Sequence, residues 1–239
     1  MKYAKPLIAI TILTLLAWCT KPSILEKGIE QAKRTESPFE AAELVSQANE
    51  QNHEGRSLVS FIFDSVFTDF DEVMAKRNAT NKIIGDYLVK AVELGDVRAM
   101  NRVLKSRFSD ETLEKSAPFI MAFAEKSDAT AEALLAASRL TLDGRYVQQD
   151  FQQSFDFLTR SWKLSQNPHT AVQAREIFLK LHDGPNAYLW SLRSLDASPW
   201  PGAWFENDRS AQEKVDIQRM AHDPSITIIG NSPLKPISG

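Results

Sequence analysis

One cysteine, Cys19, stands in 239 residues. That excludes a disulfide within the chain, and with it a cysteine-built zinc site. Histidine is scarce as well. His53, His169, His182 and His222 are the four, and no two share the i, i+4 spacing of a helical zinc motif. A zinc site would need histidines and carboxylates gathered from separate segments, and scattered surface histidines are the simpler reading. No metal or cofactor is expected. There are 9 glycines and 11 prolines, with most prolines near the two ends. The long stretches without either argue against many short strands with tight turns and favour helices. Excess positive charge is also missing: the formal net charge is −3, so the footprint of a nucleic-acid binder is absent. The chain carries no P-loop, no dinucleotide fingerprint and no G-x-S-x-G elbow.

The clearest local signal is at the N-terminus. Lys2 and Lys5 precede an almost wholly apolar run from Pro6 to Trp18. A positive start followed by about 7–15 apolar residues reads as an export signal. The run is short for a spanning helix, which needs about 20 apolar residues; an uncleaved membrane anchor is the other reading. Leu16-Ala17-Trp18-Cys19 resembles a bacterial lipoprotein box. The resemblance implies lipidation at Cys19, and Thr20 after it implies outer-membrane sorting. Trp18 departs from the pattern, which has a small residue there. A chance cysteine beside an ordinary cleavage site is the alternative.

Residues 1–19 are thus expected to be a signal peptide or lipoprotein signal, and 20–36 a polar linker. Ser37-Pro38 with Glu40 predicts a helix start, and His53-Glu54-Gly55 its end. From Arg56 to Met74 apolar residues recur at spacings of three and four, which predicts a buried helix. Residues 37–198 are expected to form a helical repeat domain. Pro199 to Phe205, aromatic and turn-rich, reads as a cap or an exposed binding patch. With a helix over Asp208–Ala221 it makes a C-terminal cap, 199–222. The composition from Asp223 onward predicts a flexible tail, 223–239, in which Ile226-Thr227-Ile228-Ile229 stands out as a segment that docks on the body or on a partner.

Internal repetition supports the helical reading. Three segments share an aromatic, a basic residue three places later and a small residue after that. They are Tyr87-Lys90-Ala91, Phe157-Arg160-Ser161 and Trp190-Arg193-Ser194. The aromatics lie 70 and 33 residues apart, and units of about 35 residues match a helix-turn-helix repeat. A weaker copy falls at Met121–Ala124, without the basic position. First helices are predicted over Ala131–Leu142 and Ala171–Leu181, stopped by Asp143-Gly144 and Asp183-Gly184. Each repeated aromatic is read as core packing. The stretch Leu142–Asp150, followed by Ser154 and Phe157, resembles the Sel-one-like (tetratricopeptide-like) repeat, as does Tyr87–Ala99. Tyr146 stands where that family has a second glycine, and Gln153-Ser154 stands for its Lys-Ala. The resemblance covers about residues 55–198. It implies an all-α fold, a right-handed α-solenoid of stacked helix-turn-helix repeats.

Carboxylates cluster at Asp64, Asp69, Asp71 and Glu72. Two at the right separation can run glycoside chemistry. Beside Lys76 and Arg77 they read instead as a solvated helix face. Asn78-Ala79-Thr80 matches a glycosylation sequon and is taken as chance. No catalytic residue is nominated. The expectation is a non-enzymatic envelope protein, periplasmic or held at the outer membrane through Cys19, that binds another protein and no nucleic acid. The resemblance extends to exported immunity proteins that neutralise secreted toxins of the type VI phospholipase kind. The alternative is an envelope hydrolase or lyase acting on the cell wall.

Overall fold

Ser23 and Glu26 open the first helix by capping each other. The Glu26 amide donates to Ser23 Oγ at 3.1 Å, and the Ser23 amide donates to Glu26 Oε2 at 2.7 Å. This reciprocal pair satisfies two amides that a helix start otherwise leaves unbonded. It turns Ile24–Lys33 into a helix, α1, inside the stretch expected to be a linker. The structure is a computed structural model and describes residues 23–54, 70–105, 110–194 and 210–235. Every regular element among them is a helix, so the protein is all-α over the described residues. None of these helices is long and apolar enough to cross a membrane. Residues 1–22, with Cys19 and the apolar run, lie outside the described residues, as do 55–69, 106–109, 195–209 and 236–239.

The chain divides into two compact units, Met1–Lys90 and Ala91–Gly239. In the first, α1 packs on α2, Pro38–Glu54. Pro38 holds the first helical position, where its missing N–H costs nothing. The two helices approach closely because the contact is built of small residues: Gly28 and Ala32 on one, Ala41, Ala42, Val45 and Ala48 on the other, all buried. A Cβ on Gly28 would collide with the Cβ of Ala48. The helix α3 spans Phe70–Glu93. Of the buried helix expected over 56–74, only the part from Phe70 lies within the described residues.

The second unit begins at the end of α3. Gly95, at φ +84°, turns the chain: its amide donates to Val92 O and the Asp96 amide to Ala91 O, both at 2.9 Å. Asp96 then accepts from the Arg98 amide at 2.9 Å and starts α4, Val97–Lys105. Next come α5, Asp110–Ala124, α6, Ala131–Asp143, α7, Phe151–Ser165, α8, Pro168–Lys180, α9, Gly184–Arg193, and α10, Ala211–Ala221. The main packings are α6 on α7 and α8 on α9; α5 and α4 lie against α6, α7 against α8, and α9 against α10. Phe155, Leu158, Trp162, Ala174, Ile177, Phe178 and Trp190 form one continuous core. Phe155 meets Phe178 edge-on at 5.1 Å, and Trp162 meets Trp190 edge-on at 5.2 Å, the geometry that aromatic quadrupoles favour.

The repeated positions have defined jobs here. Phe157 and Trp190 are buried, as expected of core aromatics. The arginine three residues after each one caps the end of another helix. Arg160 donates to the carbonyls of Ala124 and Lys126 at 2.9 and 2.8 Å, closing α5. Arg193 donates to Ala221, Met220 and Asp223 carbonyls at 3.2, 3.3 and 2.6 Å, closing α10. A cation at a helix C-terminus also meets the negative end of the macrodipole. The small residue that follows, Ser161, is buried and donates to Ala131 O at 2.9 Å. In the Tyr87 copy, Lys90 is exposed and Ala91 is buried.

The two Asp-Gly stops behave differently. Gly144 ends α6 in the left-handed region at φ +73°, as the sequence predicts. Gly184 ends nothing: it is the first residue of α9, with Asp183 as the N-cap accepting from the Asn186 amide at 3.3 Å. The left-handed residue after α8 is His182, at φ +56°.

The tail differs most from expectation. Residues 223–235, expected within a flexible tail, lie along α7, α9 and α10 and are held by side chains of the body. Trp162 Nε1 donates to Pro224 O at 3.1 Å and Trp190 Nε1 to Thr227 O at 3.0 Å. Asn186 takes both backbone groups of Ile229: Nδ2 donates to its carbonyl at 2.9 Å, and Oδ1 accepts from its amide at 2.8 Å. Ser232 donates to Asp183 Oδ2 at 2.7 Å, the Lys235 amide donates to Gln152 Oε1 at 2.9 Å, and Leu234 is buried. The expected docking of Ile226–Ile229 is part of this contact, with Ile228 on the main core and Ile226 and Ile229 beside Leu189 and Ile217. Pro199–Phe205 lies outside the described residues.

Candidate binding grooves

Two grooves mark the surface of the second unit. The first, about 280 Å³, runs between α6 and α8. Its organising residue is Arg139, the one charged side chain between Ala133 and Leu142. Arg139 Nε donates to Gln173 Oε1 at 3.2 Å. Gln173 is buried, and its amide is oriented in turn: Nε2 donates to Ser138 Oγ at 3.2 Å. Ser154 Oγ donates to Ser138 O at 2.8 Å, and the two hydroxyls lie 2.8 Å apart. With the Ser154 proton committed to that carbonyl, Ser138 donates to Ser154, and its lone pair receives Gln173. The network therefore fixes which end of Gln173 faces Arg139. Burial pushes the Arg139 guanidinium below its usual range, and nearby Glu176 partly offsets this. Its two terminal nitrogens make no hydrogen bond or ion pair among the described residues. Leu142 and Val172 add apolar surface, and Glu176 is paired with Lys180 at 3.7 Å.

The second groove is larger, about 580 Å³, between the start of α9, the helix α10 and the C-terminal segment. Leu181, Ile217, Met220 and Ile229 supply its apolar surface, and Asp183, Glu213 and Asp216 its charge. No lysine or arginine among the described residues lines it. The carboxylates are held by local bonds. Asp183 accepts from Asn186 N, Asn186 Nδ2 and Ser232 Oγ, all neutral donors, and no cation pairs with it among the described residues. Glu213 accepts from the Ser210 amide at 2.9 Å in a capping box, and Asp216 lies 3.5 Å from Arg219.

Of the residues singled out in the sequence, His169 is exposed at the rim of the first groove, His182 is exposed at the second, and His222 is exposed after α10. His53 lies in α2. Among the described residues no three of His, Cys, Asp and Glu come together around a metal position. Asp64, Asp69 and Cys19 lie outside the described residues; Asp71 is exposed on α3, which also carries Glu72. The residues of the first groove were missed by motif searching. Their one visible sign is Arg139 itself, a lone charge in an apolar helical run. The partner that orients it, Gln173, is 34 residues away, and no local pattern announces it. No protein-family model matches the chain, and no curated protein or solved structure does either.

Proposed function

We propose that the second unit is a short right-handed α-solenoid of Sel-one-like helix pairs that binds a partner protein along the groove between α6 and α8. The reading is supported by the order of contacts. If α4, α6 and α8 are first helices, each touches its own second helix. Successive first helices also touch, and each second helix meets the next first helix. Such stacking buries a continuous core and leaves a row of first helices as a ligand-facing surface. The single observation that carries the binding role is Arg139, a partly buried guanidinium oriented by a dedicated network, whose terminal nitrogens make no ion pair among the described residues and whose burial Glu176 offsets only in part. A partly desolvated charge that the fold compensates only in part favours an anionic group of a ligand at that position.

The protein acts in this reading as a non-enzymatic binder in the bacterial periplasm, anchored through a lipid on Cys19. The partner class implied by the resemblance is a secreted toxin of the type VI phospholipase kind, neutralised on contact. The test is affinity capture from envelope extract with the full chain and with Arg139→Glu. Recovery of one stoichiometric partner by the native chain, lost with Arg139→Glu, supports the proposal. Equal capture by both variants moves the binding surface elsewhere, and capture of nothing argues against a binding role.

A further inference from the structure

The groove between α9, α10 and the C-terminal segment has a different chemistry from the first. Among the described residues its lining carries acidic groups and no lysine or arginine, and its floor is apolar. Asp183, the N-cap of α9, is half-buried, and among the described residues its carboxylate accepts from neutral donors alone. Those hydrogen bonds fix the carboxylate in place without cancelling its field. Asp216, which lies 3.5 Å from Arg219, and Glu213 extend the acidic edge along α10. Met220, at 36% exposure, lies on the same helix. Methionine is a side chain that adapts to varied apolar partners. The groove is open to solvent, and its volume of about 580 Å³ is within the range of ligand pockets.

We propose that this groove is a second binding site, and that its occupant is a cationic, apolar polypeptide segment: a lysine or arginine set between aliphatic residues of a partner protein. The aliphatic side chains cover Leu181, Ile217, Met220 and Ile229. The cation meets Asp183 and Asp216. An acidic segment is repelled by the same edge. The site is separate from Arg139 and stands whether or not the first groove binds anything.

The experiment uses the full chain and a fluorescently labelled, end-blocked peptide that alternates leucine and lysine, followed by anisotropy. The counterpart alternates leucine and glutamate. The lysine peptide is expected to bind saturably and at least about tenfold more tightly than the glutamate peptide, a difference of about 1.4 kcal/mol. Its affinity should fall as salt is raised. Two variants on the exposed side of α10 localise the effect. Asp216→Lys and Met220→Lys should each weaken binding about tenfold, with the helical circular dichroism unchanged. Glu132→Lys, the same kind of charge change at an exposed position outside both grooves, should leave it unchanged. Equal binding of the two peptides, binding that survives both α10 variants, or no binding by the native chain would each overturn the proposal. If one α10 variant fails to fold, the other still decides.

Discussion

Asn186 is the side chain on which the attachment of the C-terminal segment turns, and replacing it with alanine tests the account of how that segment is held. Asn186 is 1% exposed. Its amide bonds both backbone groups of Ile229, as a neighbouring strand would. Its Nδ2 also donates to Asp183 Oδ2 at 2.9 Å. Alanine removes all three bonds and strands the amide and carbonyl of Ile229. A buried polar group left unpaired costs about 1–3 kcal/mol. Ile229 is half-buried, so water recovers part of this for each group. The expected loss is about 2–4 kcal/mol, a large part of the roughly 5–15 kcal/mol that holds a domain together. In urea, with a slope near 2 kcal/mol/M, the midpoint should drop by about 1–2 M. Tryptophan fluorescence reports the transition, because Trp162 and Trp190 both donate to this segment. Hydrogen exchange adds the location: the Ile229 amide should lose its protection while those of α6 keep theirs. A midpoint shift under about 0.3 M with Ile229 still protected would refute the reasoning, and the segment would then be held by its apolar side chains alone.

Other consequences are as definite. Ser116 is fully buried, and its hydroxyl has no partner among the described residues; Ser116→Ala should raise stability by up to about 1 kcal/mol in the same urea assay. Gly144→Ala should lower it by about 1–2 kcal/mol, because φ is +73° and the new Cβ would meet Gln149 Cβ at 2.6 Å. Gly28→Val should separate α1 from α2, seen as lost exchange protection in α1 while α6 to α9 stay protected. Asp156 gives a pH signature. Burial raises its carboxyl above the usual value, against the hydrogen bond from Gln152. The folded state therefore holds this proton more tightly than the unfolded chain does. Its contribution is present at low pH and is lost as pH rises through the folded value. Asp156→Asn should remove that acidic-range slope, as measured by stability at a series of pH values.

The sequence made the helices legible where local chemistry decides them. The periodicity over Ala131–Leu142, the stop at Gly144 and the start at Ser37-Pro38 depend on neighbours within one turn, and these the structure reproduces. Legibility failed where a residue has two compatible roles. Asp183-Gly184 reads as a helix stop, but Asp is also a strong N-cap, and the following Pro185 suits the first turn of a helix. The cap won, and His182 took the left-handed position in place of the glycine. Residues 20–36 looked like a linker because they are polar, although Ser23 and Glu26 stand at capping-box spacing. Composition also misled at the tail. Residues 223–235 are rich in serine, proline and glycine, yet what orders them belongs to the body: two indole N–H groups and one asparagine amide. A segment's own composition reports the apolar surface it brings, and says nothing of the donors waiting for its backbone.

In the proposed row of helix pairs, that segment also bears on how the last pair is covered. An open last pair exposes the apolar face that the next repeat would have covered. Here Trp190 on α9 and Trp162 on α7 both meet the C-terminal segment, and each carries an N–H that needs an acceptor. Another helix would bring few free carbonyls, since its own bonds consume them. Irregular chain has free carbonyls, and Pro224, in a turn, and Thr227 supply the two required. Arg193 joins the arrangement from the other side. It lies 4.8 Å from the Trp190 ring and 5.5 Å from the Trp162 ring, while its N–H groups close α10. Burial lowers its proton affinity to about 10, which leaves it charged at neutral pH. Trp162 on α7 and Trp190 on α9 thus meet irregular chain through polar edges and aromatic faces at once, and the acidic groove opens beside that junction.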